Sequence, residues 1–285
     1  MPENRILMDA QDLFERLDDP NWAVVDCRFD LSDPDAGRRA YEDAHVPGAV
    51  FLDLDKDLAG AITSETGRHP LPDPRALAAT LGGLGIDESH GVIVYDAGPG
   101  AIAARAWWVL RWLGHDAVYL LNGGLAHWQS LGMPVEGGDK TSSATVFNAR
   151  VCDGSVLSTQ ELVADVAAIP RFKLLDARDA QRFRGEVEPI DPVAGHVPGT
   201  INLPFGRFVA EDGTWRPLHE RAALLEEAIG TDRAVDWSVM CGSGVTACHL
   251  AISGLEAGFR QPRLYVGSWS EWILDPQRPI AVGDP

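Results

Sequence analysis

Asp236-Trp237-Ser238-Val239-Met240-Cys241-Gly242-Ser243-Gly244-Val245-Thr246-Ala247-Cys248-His249 reads as a short strand, a loop opened by a cysteine, and a helix running from about Thr246 through Leu255. Gly242 and Gly244 let the backbone curl tightly, so that successive N–H groups point into the bowl that receives the Cys241 sulfur. Backed by a helix N-terminus, such a nest favours negative charge, and the thiolate is the reactive form of cysteine. A cysteine closing a strand is ordinarily a small buried hydrophobe. Here the residues between it and the helix are small, which fills a core poorly and builds an anion cup well. A cysteine-based phosphate loop needs an arginine six positions after the cysteine, and residue 247 is Ala, so phosphate is disfavoured as substrate.

Outward from this stretch the chain repeats itself. Trp22-Ala23-Val24-Val25-Asp26 and Gly91-Val92-Ile93-Val94-Tyr95-Asp96 read as buried strands, with helices expected over Ile6–Leu17, Arg75–Leu84 and Ile102–Leu113. Leu174-Leu175-Asp176-Ala177-Arg178 then matches Val24-Val25-Asp26-Cys27-Arg28. The turn His196-Val197-Pro198-Gly199-Thr200 matches His45-Val46-Pro47-Gly48-Ala49, and Val239-Met240-Cys241 falls on Val94-Tyr95-Asp96. The offset drifts only from 151 residues (His45 to His196) to 144 (Trp128 to Trp272), which means two tandem copies of one fold. Strands alternating with helices imply an α/β fold, each copy a central, mainly parallel sheet with helices on both faces. The polar stretch from Gly137 to Ser143 marks the join: a first domain over 1–137, a linker over 138–150 and a second domain over 151–285. Because Asp96 stands where the second copy has Cys241, the first domain is expected to be catalytically silent and to serve as a cleft wall.

Composition narrows the function. The 285 residues, 45% hydrophobic and 23% charged, suit soluble globular domains. A net charge of −18 argues against nucleic acid or an anionic membrane surface as partner. The charged N-terminal stretch has no signal-peptide core and no apolar run is long enough to span a membrane, so the expected location is cytoplasmic. Cys27, Cys152, Cys241 and Cys248 show neither metal-ligand spacing nor a disulfide framework, and Cys248, two helical turns beyond Cys241, reads as packing. His69, His115 and His127 likewise lack metal-site spacing, and neither a metal nor an organic cofactor is expected.

The CGSGVT stretch at 241–246, the two HVPG segments, the DAR-x4-FRG segment and the closing GSWSEW resemble the rhodanese superfamily, in the version typical of 3-mercaptopyruvate sulfurtransferases. The resemblance covers nearly the whole chain. It implies transfer of a sulfane sulfur through a Cys241 persulfide, from 3-mercaptopyruvate to a thiol or cyanide, with the backbone of Gly242, Ser243, Gly244, Val245 and Thr246 stabilising the persulfide. A thioredoxin-like reductant is a further candidate partner. Arg182 is assigned to the donor carboxylate, which a guanidinium suits, and Arg105 resembles a first-domain arginine that reaches the cleft. A Ser–His–Asp relay would use Ser243 and, at the HVPG turn, His45; a histidine simply bound to its turn is the competing reading, and Asp33 or Asp35 would complete the relay.

Two features divide the donor. Asp191 stands where these enzymes usually carry a second arginine, which keeps thiosulfate open and suggests that Asp191→Arg would help mercaptopyruvate. Thiosulfate-specific relatives carry two cations after the cysteine, whereas this chain has Gly242 and Ser243, which favours mercaptopyruvate. A different class of function, a rhodanese module that relays sulfur to a protein partner, is separable by whether small donors alone saturate turnover.

Overall fold

The computed structural model describes residues 5–140, 142–168 and 171–284; Thr141 of the expected linker lies outside them. The chain divides into two compact units, one of Met1–Gly60, Leu71–Cys152 and Ala210–Trp215, the other of Ala61–Pro70, Asp153–Val209 and Arg216–Pro285. Two short segments therefore depart from the contiguous division read from the sequence: Ala61–Pro70 belongs with the second unit and Ala210–Trp215 with the first.

The first unit holds β1 (Leu7–Met8), α1 (Ala10–Phe14), β2 (Trp22–Asp26), α2 (Ala36–Asp43), β3 (Val50–Phe51), α3 (Pro74–Gly83), β4 (Gly91–Tyr95), α4 (Ala103–Trp112), β5 (Val118–Leu121) and α5 (Gly124–Ser130). Its five strands pair in parallel in the order β1-β5-β4-β2-β3. The helix expected over Ile6–Leu17 is shorter because Leu7 and Met8 pair with Leu120 and Leu121, a long-range ladder that helical periodicity cannot reveal. The second unit repeats the plan with β6 (Val156–Leu157), α6 (Thr159–Val166), β7 (Lys173–Asp176), α7 (Ala180–Phe183), β8 (Ile201–Asn202), α8 (Leu218–Ile229), β9 (Trp237–Met240), α9 (Ala247–Glu256), β10 (Arg263–Tyr265) and α10 (Ser268–Trp272). Its parallel order, β6-β10-β9-β7-β8, is that of the first sheet.

The repetition extends to side chains. Asp26 and Asp176, both fully buried at strand ends, pair with Arg28 and Arg178, which also donate to the carbonyls of Ala44 and Gly195. Trp128 and Trp272 are completely buried, and each indole N–H donates to a proline carbonyl, Pro134 and Pro279. Each unit thus closes its own core around apolar strand residues and tryptophan, and in each a loop follows the carboxyl end of the central strand, where parallel sheets place ligand sites.

Candidate active site

The central strand β9 ends at Met240, and Cys241 opens the loop that runs to Thr246 before α9 begins at Ala247. Cys241 is 2% exposed. Its N–H donates to Ser268 Oγ (3.1 Å), and its carbonyl accepts from Trp269 N–H (3.0 Å). The Gly242 carbonyl accepts from Ser270 N–H (2.9 Å), so the GSWSEW segment grips both residues. Gly244 is required twice: its φ is +74°, and a Cβ there would lie 2.4 Å from the Val266 carbonyl oxygen. Ser268 has φ +52°, the one non-glycine residue with positive φ among the described residues, and its hydroxyl donates to the Tyr265 carbonyl while accepting from Cys241. Left-handed backbone at a serine costs about 1 kcal/mol, and the hydroxyl it aims fixes the Cys241 amide.

Segment Ala61–Pro70 completes this unit. Gly67 N–H donates to Glu271 and Arg68 N–H to Ser270 Oγ (3.1 Å), and a Cβ on Gly67 would lie 2.5 Å from the Gly267 carbonyl oxygen. The close approach brings buried His69 to Ser243, Nδ1 to Oγ, at 2.8 Å. It also brings the Arg68 guanidinium over Gly242, where a Cβ would sit 3.1 Å from Arg68 Nη2 and 3.6 Å from Arg182 Nη2.

Carboxylates organise these cations. Arg182, on α7, donates to Glu188 through Nε (3.0 Å) and Nη2 (2.7 Å), and Nη2 also meets Asp191 at 3.2 Å. Arg68 Nη1 pairs with the other oxygen of Asp191. Burial would raise Glu188, but hydrogen bonds from Arg182 and from the Asp191 and Ile190 amides outweigh it and hold the group below its ordinary value. For Asp191 burial wins, and its carboxyl is pushed up in spite of Arg68 and Arg182. Asp191 is therefore paired with two arginines, and Asp191→Arg would put a third guanidinium in place of the group that pairs with the other two.

The sequence-named residues divide between the units. Cys241, Gly242, Ser243, Gly244, Val245, Thr246 and Arg182 gather in the second; His45 and Arg105 lie in the first. The residue on Ser243 is His69, not His45. His45 Nδ1 is held by the Tyr41 carbonyl (2.7 Å) with its ring stacked on Tyr41, and His196 repeats this with Phe183 (2.8 Å). Both are turn-bound histidines. Arg105 is fully buried on α4, with Nη2 3.4 Å from the Leu58 carbonyl. Asp33 and Asp35 form exposed ion pairs with Arg39 and Lys56. The sequence singles out neither Arg68 nor Ser268, and His69 only as lacking metal-site spacing; the Gly67-Arg68-His69-Pro70 run, placing a cation and a histidine together in a connecting loop, was the available signal. Among the described residues no group of three or more His, Cys, Asp or Glu is arranged to hold a metal ion.

Known proteins are similar to this chain. The rhodanese-like domain profile matches twice, over residues 9–131 and 158–275. A Pseudomonas aeruginosa protein named "Probable 3-mercaptopyruvate sulfurtransferase" is 48% identical over 283 residues, covering 98% of both chains. The thiosulfate sulfurtransferase of Cricetulus griseus is 35% identical over 263 residues, 89% of this chain and 86% of its own. The crystal structure of SseA from Escherichia coli, described among 3-mercaptopyruvate sulfotransferases with the rhodanese fold, superimposes with a TM-score of 0.82 at 32% identity, covering 94% of this chain and all of that one. The chain belongs to the rhodanese family, as a tandem-domain member of the 3-mercaptopyruvate sulfurtransferase-like type.

Proposed function

We propose that this sulfurtransferase moves a sulfane sulfur from 3-mercaptopyruvate to a thiol or cyanide through a persulfide on Cys241. The Cys241 thiolate attacks the donor sulfur, the carbon–sulfur bond breaks, and its electron pair leaves as the enolate of pyruvate. Ser243 gives its proton to the enolate carbon and is resupplied from His69 Nδ1; the proton lost by the donor thiol balances the one gained by pyruvate. The persulfide anion rests against the loop amides until an acceptor takes the outer sulfur and restores the thiolate.

One observation carries this reading. At the position equivalent to Cys241, the Asp96 carboxylate accepts hydrogen bonds from the N–H groups of Gly98, Gly100, Ile102 and Ala103 at 2.8–3.1 Å. A loop of this design wraps an anion at its first side chain, and Cys241 puts a sulfur there. The test is intact mass after donor treatment: wild type gains about 32 Da, one sulfur atom, with one equivalent of pyruvate released. No mass gain on wild type would overturn the proposal.

Thiosulfate is the second reading, supported by the two guanidinium groups beside Gly242 and by the relative that bears that name. No helix among the described residues is long and apolar enough to cross a membrane. We place the reaction in the cytoplasm, supported by four free cysteines and an acidic surface, with thiol acceptors kept reduced there by a thioredoxin-like partner.

A further inference from the structure

We propose that Arg68, reaching the site from segment Ala61–Pro70, is the second cation that binds the donor carboxylate, and that Asp191 is the positioning residue that holds Arg68 and Arg182 as a pair. The inference rests on the donor being an α-keto acid, as argued above. The sequence carries a carboxylate at 191 where a cation was expected, and the structure shows what that carboxylate does: one oxygen meets Arg68 Nη1 and the other meets Arg182 Nη2. Two forks are thereby brought to one residue, Gly242, next in chain to the nucleophile.

Each fork keeps a nitrogen for another partner. Arg182 spends Nε and Nη2 on Glu188 and Asp191, and its Nη1 lies 3.7 Å from the point where a Gly242 Cβ would be. Arg68 spends Nη1 on Asp191, and its Nη2 lies 3.1 Å from that same point. Among the described residues no carboxylate engages either of these two nitrogens. They converge on the space that the missing side chain of residue 242 leaves open, one residue from the Cys241 sulfur. A carboxylate with two oxygens, carried two carbons from the attacked sulfur, is the chemistry that matches two converging N–H donors there. The glycine at 242 is then a specificity element: it is not needed for backbone conformation, since its φ is not in the left-handed region, but for room between two guanidinium groups.

The test compares 3-mercaptopyruvate with mercaptoacetone, the same α-mercaptoketone without the carboxylate, on wild type, Arg68→Met and Asp191→Asn. Arg68→Met is expected to raise KM for 3-mercaptopyruvate by about 10-fold or more, the effect of one charge-assisted contact, with kcat changed far less. Mercaptoacetone kinetics should stay within about 2-fold, so the preference for the acid over the ketone shrinks by the same factor. Asp191→Asn should move the same ratio in the same direction, less strongly. Equal losses on both donors, or an unchanged KM for the acid, would overturn the assignment and leave Arg68 a structural residue. Binding of pyruvate, followed by calorimetry, should weaken about 10-fold in Arg68→Met whether or not sulfur is transferred. A wild type that binds pyruvate through Arg68 yet forms no persulfide would sink the proposed reaction and not the carboxylate site. Should Arg68→Met fail to fold, Arg68→Lys is read in the same way, with a several-fold shift expected from loss of the fork geometry.

Discussion

The loop from Asp96 to Ile102 and the loop from Cys241 to Thr246 hang from the same frame and do opposite things. In both, a central parallel strand ends just before the first residue, at Tyr95 or Met240, and a helix begins at an alanine, Ala103 or Ala247. The N–H of Leu125 bonds the Asp96 carbonyl (2.9 Å) as that of Trp269 bonds Cys241 (3.0 Å), and Ala126 bonds Ala97 as Ser270 bonds Gly242. Gly100 and Gly244 both take positive φ. In the first loop, however, the carboxylate folds back into its own cup and takes four amide hydrogen bonds, so the anion site is filled from within. In the second, the side chain at that point is the sulfur proposed to carry the persulfide, and a hydroxyl at Ser268 replaces Gly124 at the left-handed position behind it. On the proposed reading, one scaffold serves both loops, and its first residue decides between a structural plug, as at Asp96, and the seat of a nucleophile.

The largest expected effect is at Cys241. Cys241→Ser should abolish turnover and the gain of mass. Cys27→Ser, Cys152→Ser and Cys248→Ser should retain much of the activity. Cys27 is buried, and burial, with the charges of Asp26, Asp96 and Asp57, pushes its thiol well up, so it stays protonated. Cys248 points its thiol at the Gly244 carbonyl. Turnover by Cys241→Ser would mean that the cup is not where sulfur is carried.

Next in size is the histidine. His69→Ala should lower kcat for 3-mercaptopyruvate by about 10²-fold or more, the usual range for a lost proton-transfer group, and Ser243→Ala should follow it without adding to it in the double variant. His45→Ala and His196→Ala should instead behave as a matched pair. Each loses a buried ring nitrogen held by a carbonyl and an aromatic stack, for about 1–3 kcal/mol of stability in denaturant unfolding. A kcat loss for His45→Ala equal to that of His69→Ala would return the relay to the HVPG turn.

What the sequence made legible follows from the range of the contacts. The strand–loop–helix around Cys241, the duplication and the substitution of Asp96 are local or repeated, and periodicity with turn chemistry reads such features directly. His69 reaches Ser243 across 174 residues of chain, and Arg68 reaches Asp191 across 123. No pattern within either segment announces those meetings, and the resemblance drew attention to the HVPG histidine, which both copies spend on their own turns. Asp191 was legible only as a lone carboxylate for the same reason: its two arginine partners come from other segments, Arg68 from Ala61–Pro70 and Arg182 from α7.

Smaller again is the plug itself. Asp96→Asn keeps the shape but turns a carboxylate oxygen into an amide donor facing backbone N–H groups, and should cost about 3 kcal/mol in denaturant unfolding. Cys241→Ala, at the equivalent position, should change stability by about 1 kcal/mol or less, because among the described residues its sulfur takes none of the amide hydrogen bonds that Asp96 takes. Equal losses at the two sites would show that both loops depend on the first side chain for structure, and the contrast drawn between them would be wrong.

The smallest expected effect is in donor choice, and it turns on a count of charges. Around Gly242 stand two guanidinium groups, Arg68 and Arg182, and two carboxylates, Glu188 and Asp191, so the cluster is neutral as a whole. A neutral cluster with two converging N–H donors accommodates a monoanionic carboxylate. Thiosulfate brings two negative charges into a protein of net charge −18 and needs a surplus of cations that the cluster lacks. We therefore expect kcat/KM to favour 3-mercaptopyruvate by about 10-fold, one such contact's difference. Removing one compensating charge with Asp191→Asn should move the ratio toward thiosulfate several-fold. Lowering the pH should act in the same direction: burial raises the Asp191 carboxyl, so it is neutralised at a higher pH than an ordinary aspartate and the cluster gains net positive charge earlier. Gly242→Arg with Ser243→Lys, the exchange that the bare loop sequence suggests, should instead damage both activities, because residue 242 has no room beside Arg68 and Ser243 is the partner of His69. Side-by-side kinetics on both donors at two pH values reads all of this at once. A wild-type preference for thiosulfate would mean that the two arginines act as unpaired charges, and that neutrality of the cluster does not set the donor.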